Sequence, residues 1–146
     1  MALSVTGGSV DRQLEKDGVW VEMDAESRVD NGKPVGPCIK LASYANPDFT
    51  RKLQHLMREK MHIADANGGI FPPQIGEDFE NIAASEYLIR DWQEFEKEEG
   101  VPFEYSKENA LWLLRNNSMV RDAIFRAAKE RWRYKKAQLN GDIKNF

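Results

Sequence analysis

Residues that could bind a metal or act as a nucleophile are few and widely spaced in this sequence. The two histidines, His55 and His62, lie seven positions apart, whereas two ligands on one helix are typically four apart. The single cysteine, Cys38, has neither a nearby histidine nor a CxxC partner, a pattern typical of a small buried side chain. We therefore predict no metal and no cofactor.

The glycine pairs and the acidic residues also lack a catalytic arrangement. Neither Gly7-Gly8 nor Gly68-Gly69 leads into Gly-Lys-Ser/Thr or shows GxGxxG spacing, which phosphate-binding loops require. Carboxylates are dense over residues 91–108, but they fall in a charge-rich helix end and turn, where water would solvate them. The sequence thus predicts a protein that is not an enzyme.

The C-terminal region carries the most concentrated basic stretch, interleaved with Trp132 and Tyr134 and opposed by Glu130 alone. Its cations are Arg126, Lys129, Arg131, Arg133, Lys135 and Lys136. Cations and aromatic rings together could bind nucleic acid through phosphate contacts and stacking. They also suit a helix C-terminus whose aromatic side chains pack inward, which is the interpretation we prefer. The same cations could instead meet an acidic protein surface.

Composition points to one folded domain. The chain has 146 residues, of which 41% are hydrophobic and 31% charged, enough apolar material for one core. Its formal net charge of −3 disfavours a general nucleic-acid or membrane-surface binder. The N-terminus lacks a signal-peptide pattern and no apolar run reaches spanning length, so we expect no membrane partner and a cytoplasmic location.

The N-terminal half begins with a segment lacking periodicity and continues into alternating apolar residues. Residues 1–17 are small, polar and glycine-rich, and we predict a flexible segment there. Alternation over residues 19–23 and 38–42 predicts two strands, and Asp30-Asn31-Gly32 between them favours a hairpin turn.

Helical patterns occupy the remainder. Asn46-Pro47 predicts a helix over residues 47–61, a breaker segment follows, and a central helix should extend from about residue 77 to residue 97. After a turn at Gly100, Ser106 can cap a short helix, and the Asn-rich residues 116–118 can cap a last helix reaching residue 138.

The predicted fold class is therefore α+β, mainly α, with an N-terminal β-hairpin packed on about four helices. We divide the chain into a flexible segment (1–17), one domain (18–139) and a C-terminal tail (140–146).

The stretch SEYLIRDWQEFEKEEGVPFEYSKENALWLL resembles the signature region of the tail assembly chaperones of long-tailed phages. In that pattern an aliphatic helix ends in a Trp, an acidic turn contains Gly, and a helix starts with Tyr-Ser-x-Glu-Asn. The matching positions here are Trp92, Gly100, Tyr105, Ser106, Glu108 and Asn109. Upstream, GVWVEM and IKLASYANPDFTRKLQHL are also similar to that family, so the likeness covers residues 18–128. Gln93-Glu94 after Trp92 and the basic C-terminal region depart from it.

The resemblance implies a chaperone that binds the tape measure protein, keeps it soluble, helps recruit major tail tube subunits and stays out of the mature virion. It leaves self-association open. We expect large rigid side chains to form the partner-binding surface. These are Trp92, Phe95, Phe103, Tyr105, Leu111 and Trp112. The alternatives are a head-tail connector or tail terminator subunit, and a nucleic-acid-binding regulator using the basic C-terminal helix.

Overall fold

A computed structural model describes residues 9–135 of the chain. Its helices are α1 (Arg12–Asp17), α2 (Pro47–Glu59), α3 (Met61–Asp65), α4 (Pro73–Tyr87), α5 (Lys107–Asn116), α6 (Ser118–Lys129) and a 3-10 helix (Arg131–Tyr134). Its strands are β1 (Val19–Glu22), β2 (Arg28–Asp30), β3 (Lys33–Val35), β4 (Cys38–Leu41), β5 (Ile89–Gln93), β6 (Glu96–Glu98) and β7 (Val101–Pro102). The α+β, mainly α class is confirmed.

A three-stranded antiparallel sheet in the order β1-β4-β5 forms the centre of the fold. Val21, Ile39 and Trp92 lie opposite one another across it and belong to the buried core, together with residues of α4, α5 and α6. The other side of the sheet is covered near Cys38, which is fully buried with its Sγ close to the Arg28 and Val35 carbonyl oxygens. The small β2–β3 hairpin therefore folds over the sheet.

The predicted hairpin exists, but a second one is inserted into it. Strands β1 and β4 pair as expected, and Asn31-Gly32 forms the turn of the inserted β2–β3 hairpin. Both turn residues have positive φ, 51° for Asn31 and 76° for Gly32, as an Asn-Gly turn between antiparallel strands allows.

The predicted central helix over residues 77–97 is wrong at both ends. Helix α4 begins earlier, at Pro73, and ends at Tyr87, after which Ile89–Gln93 pairs with β4 as strand β5. Ile89 and Trp92 therefore reach the core from a strand. The three-residue spacing between them fits the buried face of a helix. It also fits a strand that contains one β-bulge, and the pairing of β4 with β5 shifts register between Lys40 and Leu41.

Three of the predicted helix starts are confirmed by their caps. The Asn46 side chain accepts from the Asp48 amide at 3.1 Å, and the Ser106 side chain accepts from the Asn109 amide at 2.9 Å. Asn117 caps α6 by accepting from the Val120 amide. These side chains satisfy amides that have no partner within the helix, which fixes where each helix begins.

Two predictions about the termini are wrong. Residues 12–17, expected to lack structure, form α1, because Asp11 accepts from the amides of Gln13 and Leu14. The last helix, expected to reach residue 138, ends at Lys129 and gives way to the 3-10 helix. Residue 138 and the predicted tail lie outside the described residues.

The N-terminal helix α1 and the 3-10 helix lie together, and we call this pair the terminal clasp. Asp11 donates its amide to the Tyr134 carbonyl at 2.7 Å, and the fully buried Tyr134 donates its hydroxyl to the Leu41 carbonyl at 3.1 Å. Glu15, only 1% exposed, accepts from Arg12 at 2.8 Å and from Arg131 at 3.4 Å. The clasp thus joins two distant parts of the sequence to the sheet.

Candidate functional site

Five aromatic side chains from three parts of the chain form one contiguous cluster, which we call the aromatic patch. They come from β5, from the region around the β6–β7 hairpin and from α5. The patch consists of Trp92, Phe95, Phe103, Tyr105 and Trp112. All five were predicted to bind a partner, and the structure brings them together.

Trp92 is the centre of the patch and is itself nearly buried. The rings of Phe95 and Phe103 stack on it at centroid distances of 5.2 and 5.3 Å, and Tyr105 meets it edge-on at 5.2 Å. Its indole N–H donates to the Phe103 carbonyl at 2.6 Å. With an exposed fraction of 5%, Trp92 supports the patch and offers little surface of its own.

Tyr105 also faces inward, because its hydroxyl donates to the Ile89 carbonyl at 3.2 Å. Its side chain is partly buried, and this burial raises the pKa of the phenol above its usual value. Tyr105 thus fastens the segment before α5 to strand β5.

Trp112 is the exposed member of the patch, at 43% of its surface. Its ring packs edge-on against Phe103 at 5.6 Å, and the Lys97 ammonium lies over it at 5.0 Å. Leu111, the sixth predicted residue, is half-buried beside it on α5 but belongs to neither the ring cluster nor the adjoining groove. Successive helical residues point about 100° apart, which separates the two side chains.

An apolar groove of about 240 Å³ adjoins the patch. It is lined by Met23, Phe95, Glu96, Phe103, Leu113, Asn117 and Val120. Met23, Leu113 and Val120 lie at the edge of the core and also face the groove, and none of them was a predicted site residue. Only their three-dimensional proximity to Phe95 and Phe103 reveals this second role.

The basic C-terminal stretch is largely occupied by internal contacts. Arg131 binds Glu15, Arg133 binds Glu130 at 3.0 Å, and the Lys129 ammonium lies over the Tyr44 ring at 4.7 Å. The expected inward packing of its aromatics holds for Tyr134 but not for Trp132, which is 57% exposed. Lys136 lies outside the described residues.

A second apolar groove, of about 450 Å³, lies between α2, the following loop and α4. Met57 and Phe71 line it, and Ile70 is strongly exposed at its edge. It has no cluster of stacked rings comparable to the aromatic patch.

The groups considered for metal or thiol chemistry lie apart. His55 contacts Glu59 on the surface of α2, and His62 is exposed on α3. Burial raises the pKa of the Cys38 thiol, which disfavours the reactive thiolate. Within residues 9–135, His, Cys, Asp and Glu nowhere form a group of three or more placed to hold a metal ion. None of the helices in this part of the chain is long and apolar enough to cross a bilayer.

Comparison with known proteins gives one match. A family model described as YdaY prophage protein matches residues 44–145, well over half of the chain. The match spans α2 through the 3-10 helix and includes the aromatic patch. No curated protein and no solved structure matches the chain.

Proposed function

Because this chain belongs to the YdaY prophage protein family and is therefore phage-derived, we propose that it is a tail assembly chaperone. It binds the tape measure protein, keeps that chain soluble and helps recruit major tail tube subunits. It acts in the host cytoplasm, stays out of the mature virion and carries out no reaction.

The observation that carries the proposal is the aromatic patch with its exposed Trp112. Large rigid side chains supply contact area at low entropic cost, and they dominate the binding energy of many interfaces. Trp92 and Phe103 hold the patch in place through ring stacking and the indole hydrogen bond, so little ordering is needed when a partner arrives. A long helical chain with exposed apolar residues is the kind of client that such a surface can shield.

The location of the patch also supports the proposal. Trp92, Tyr105 and Ser106 belong to the stretch that resembles the phage tail chaperones, and Ser106 does cap a helix. In this protein, however, Trp92 lies in strand β5 and not at the end of a helix. The resemblance therefore holds for the order of the residues but not for the helix that the family pattern has before the Trp.

The direct test is co-expression with the tape measure protein encoded by the same prophage, followed by pull-down and by assay of its solubility. We expect the wild-type chain to retain the tape measure protein and Trp112→Ala to retain at least about tenfold less, as for a central interface tryptophan. Trp132→Ala is the matched control, since Trp132 is an exposed tryptophan outside the patch. Equal retention by the two variants would remove the patch from the proposed site.

Analysis of purified particles, together with the oligomeric state of the isolated protein, separates the structural alternative. A connector or terminator subunit would remain in purified particles and assemble into a ring without the tape measure protein. A chaperone would be found with unassembled tail proteins and be missing from finished particles. The nucleic-acid alternative has less support, because Arg131 and Arg133 are already bound to carboxylates.

A further inference from the structure

The aromatic patch is surrounded by an excess of negative charge. Residues 94–108 contain six glutamates and two lysines, in a chain whose formal net charge is −3. The glutamates are Glu94, Glu96, Glu98, Glu99, Glu104 and Glu108. This short segment therefore accounts for all of the acidic excess of the protein.

These six glutamates are exposed and have no cationic partner in the described part of the chain. Glu96 accepts the Gly100 amide across the β6–β7 turn, which is a neutral partner. Several acidic residues elsewhere differ: Glu15, Glu80 and Asp78 each form an ion pair with an arginine. The charge around the patch is thus available to a partner.

Two of these glutamates lie directly beside the apolar surface of the patch and its groove. Glu96 lines the groove beside Phe95 and Phe103, and Glu98 follows on the same strand, opposite Val101, which is 42% exposed. The Lys97 ammonium over Trp112 shows that this surface already accommodates a lysine on its exposed ring. This surface can therefore accept apolar side chains and positive charges from the same partner.

From this combination we infer that the aromatic patch and its groove bind an amphipathic helix whose apolar stripe is flanked by lysines and arginines. The apolar residues of that helix enter the groove between Phe95, Phe103 and Val120, and its cations pair with the surrounding glutamates. Nucleic acids and anionic membranes carry the same charge sign as the rim and are repelled. The inference rests on the proposed function, since it specifies which segment of the client would be bound.

A pair of synthetic peptides tests the charge preference. Both are 20-residue amphipathic helices with one leucine stripe; one carries lysines on its flanks and the other glutamates. Fluorescence anisotropy with the full-length protein should show the lysine peptide binding at least about tenfold more tightly at low salt. The difference should narrow at about 0.5 M NaCl, because salt screens exposed charges.

Matched variants locate the binding. Glu98→Gln with Glu99→Gln should weaken the lysine peptide about fivefold, since each exposed ion pair contributes modestly. Asp17→Asn with Asp65→Asn removes the same charge from exposed positions outside residues 94–108 and should leave affinity within about twofold. Trp112→Ala should weaken the lysine peptide by at least about tenfold.

Equal binding of the two peptides, or equal losses in the two double variants, would overturn the inference. Failure of this inference can be distinguished from failure of the proposed function. If the tape measure protein is retained but the peptides bind alike, the chaperone proposal stands and the charge preference is wrong. If the lysine peptide is preferred but the tape measure protein is not retained, the surface is as inferred and the client is a different protein.

Discussion

The terminal clasp and the aromatic patch use the same kinds of residues with opposite results. In the clasp, Tyr134 is fully buried and Glu15 binds two arginines. In the patch, Trp112 is 43% exposed, and the glutamates of residues 94–108 form no ion pair within residues 9–135. An aromatic ring next to charges therefore does not by itself indicate a binding surface.

The difference lies in whether the interactions are completed within the chain. Burial of Tyr134 removes apolar surface from water, and the Leu41 carbonyl satisfies its hydroxyl, so the clasp contributes to stability. Trp112 keeps much of its apolar surface in water, and burying that surface against a partner would release further free energy. We expect substitutions in the clasp to change folding and those at the patch to change binding.

The largest expected effect is on the free energy of unfolding of Tyr134→Ala. Removing a fully buried aromatic side chain should cost about 3–5 kcal/mol, from lost burial and the cavity left behind. Tyr134→Phe keeps the ring and should cost only about 1 kcal/mol, for the hydrogen bond to Leu41. Urea unfolding followed by circular dichroism measures both. A Tyr134→Ala protein as stable as wild type would mean that the clasp is dispensable.

Glu15→Gln should have the next largest effect, about 1–2 kcal/mol. The variant keeps the shape of the side chain but weakens its charge-assisted bonds to Arg12 and Arg131. Glu130→Gln is the control, because Glu130 binds Arg133 at a more exposed position and should cost less than about 0.5 kcal/mol. If the two variants lose the same stability in urea unfolding, burial does not distinguish these carboxylates.

Trp112→Ala should lower the free energy of unfolding by a smaller amount, about 1 kcal/mol. Trp112 is already 43% exposed, and the aromatic and cation–π contacts of its ring in the described structure are those with Phe103 and Lys97. Its effect on retention of the tape measure protein should be much larger, as proposed above. Thermal unfolding of Trp112→Ala and Trp132→Ala in parallel checks that neither variant is misfolded. A loss of stability as large as that of Tyr134→Ala would place Trp112 with the structural residues.

The sequence predicted those features of the fold that depend on neighbouring residues. Asn46, Ser106 and Asn117 cap helices where expected, since a capping side chain reaches an amide only two or three residues away. The Asn31-Gly32 turn is equally local. Strand β5 was missed, because its identity depends on pairing with β4, about 50 residues earlier in the chain.

The candidate site was also predictable only in part, because its residues can be identified locally but their proximity depends on long-range contacts. Trp92, Phe103 and Trp112 stood out by residue type alone. Strand β5 together with the β6–β7 hairpin brings Trp92 within stacking distance of Phe103. Leu111 was assigned to the site as one of the large side chains expected at an interface, and helical geometry directs it away from Trp112. The groove depends on Met23 from the distant strand end, which no local pattern could associate with Val120.

The smallest expected effect concerns Asp78 and Arg115, an exposed ion pair between α4 and α5 that contrasts with Glu15. The hydrogen bonds from Arg115, at 2.8 Å, lower the pKa of the Asp78 carboxyl below its usual value. The unfolded state then binds the proton more readily than the folded state. The contribution of the pair is therefore complete at neutral pH and is lost as the pH falls through the folded pKa of Asp78.

Asp78→Asn should thus lower the free energy of unfolding by about 0.5 kcal/mol at pH 7, because exposed pairs are screened by water. The difference from wild type should shrink in urea unfolding series as the pH is lowered toward 3. Asp65→Asn is the control, since Asp65 is exposed and has no ion pair within residues 9–135, and it should change stability little at any pH. A difference for Asp78→Asn that stays constant down to pH 3 would show that packing between α4 and α5, and not charge, determines the cost of the substitution.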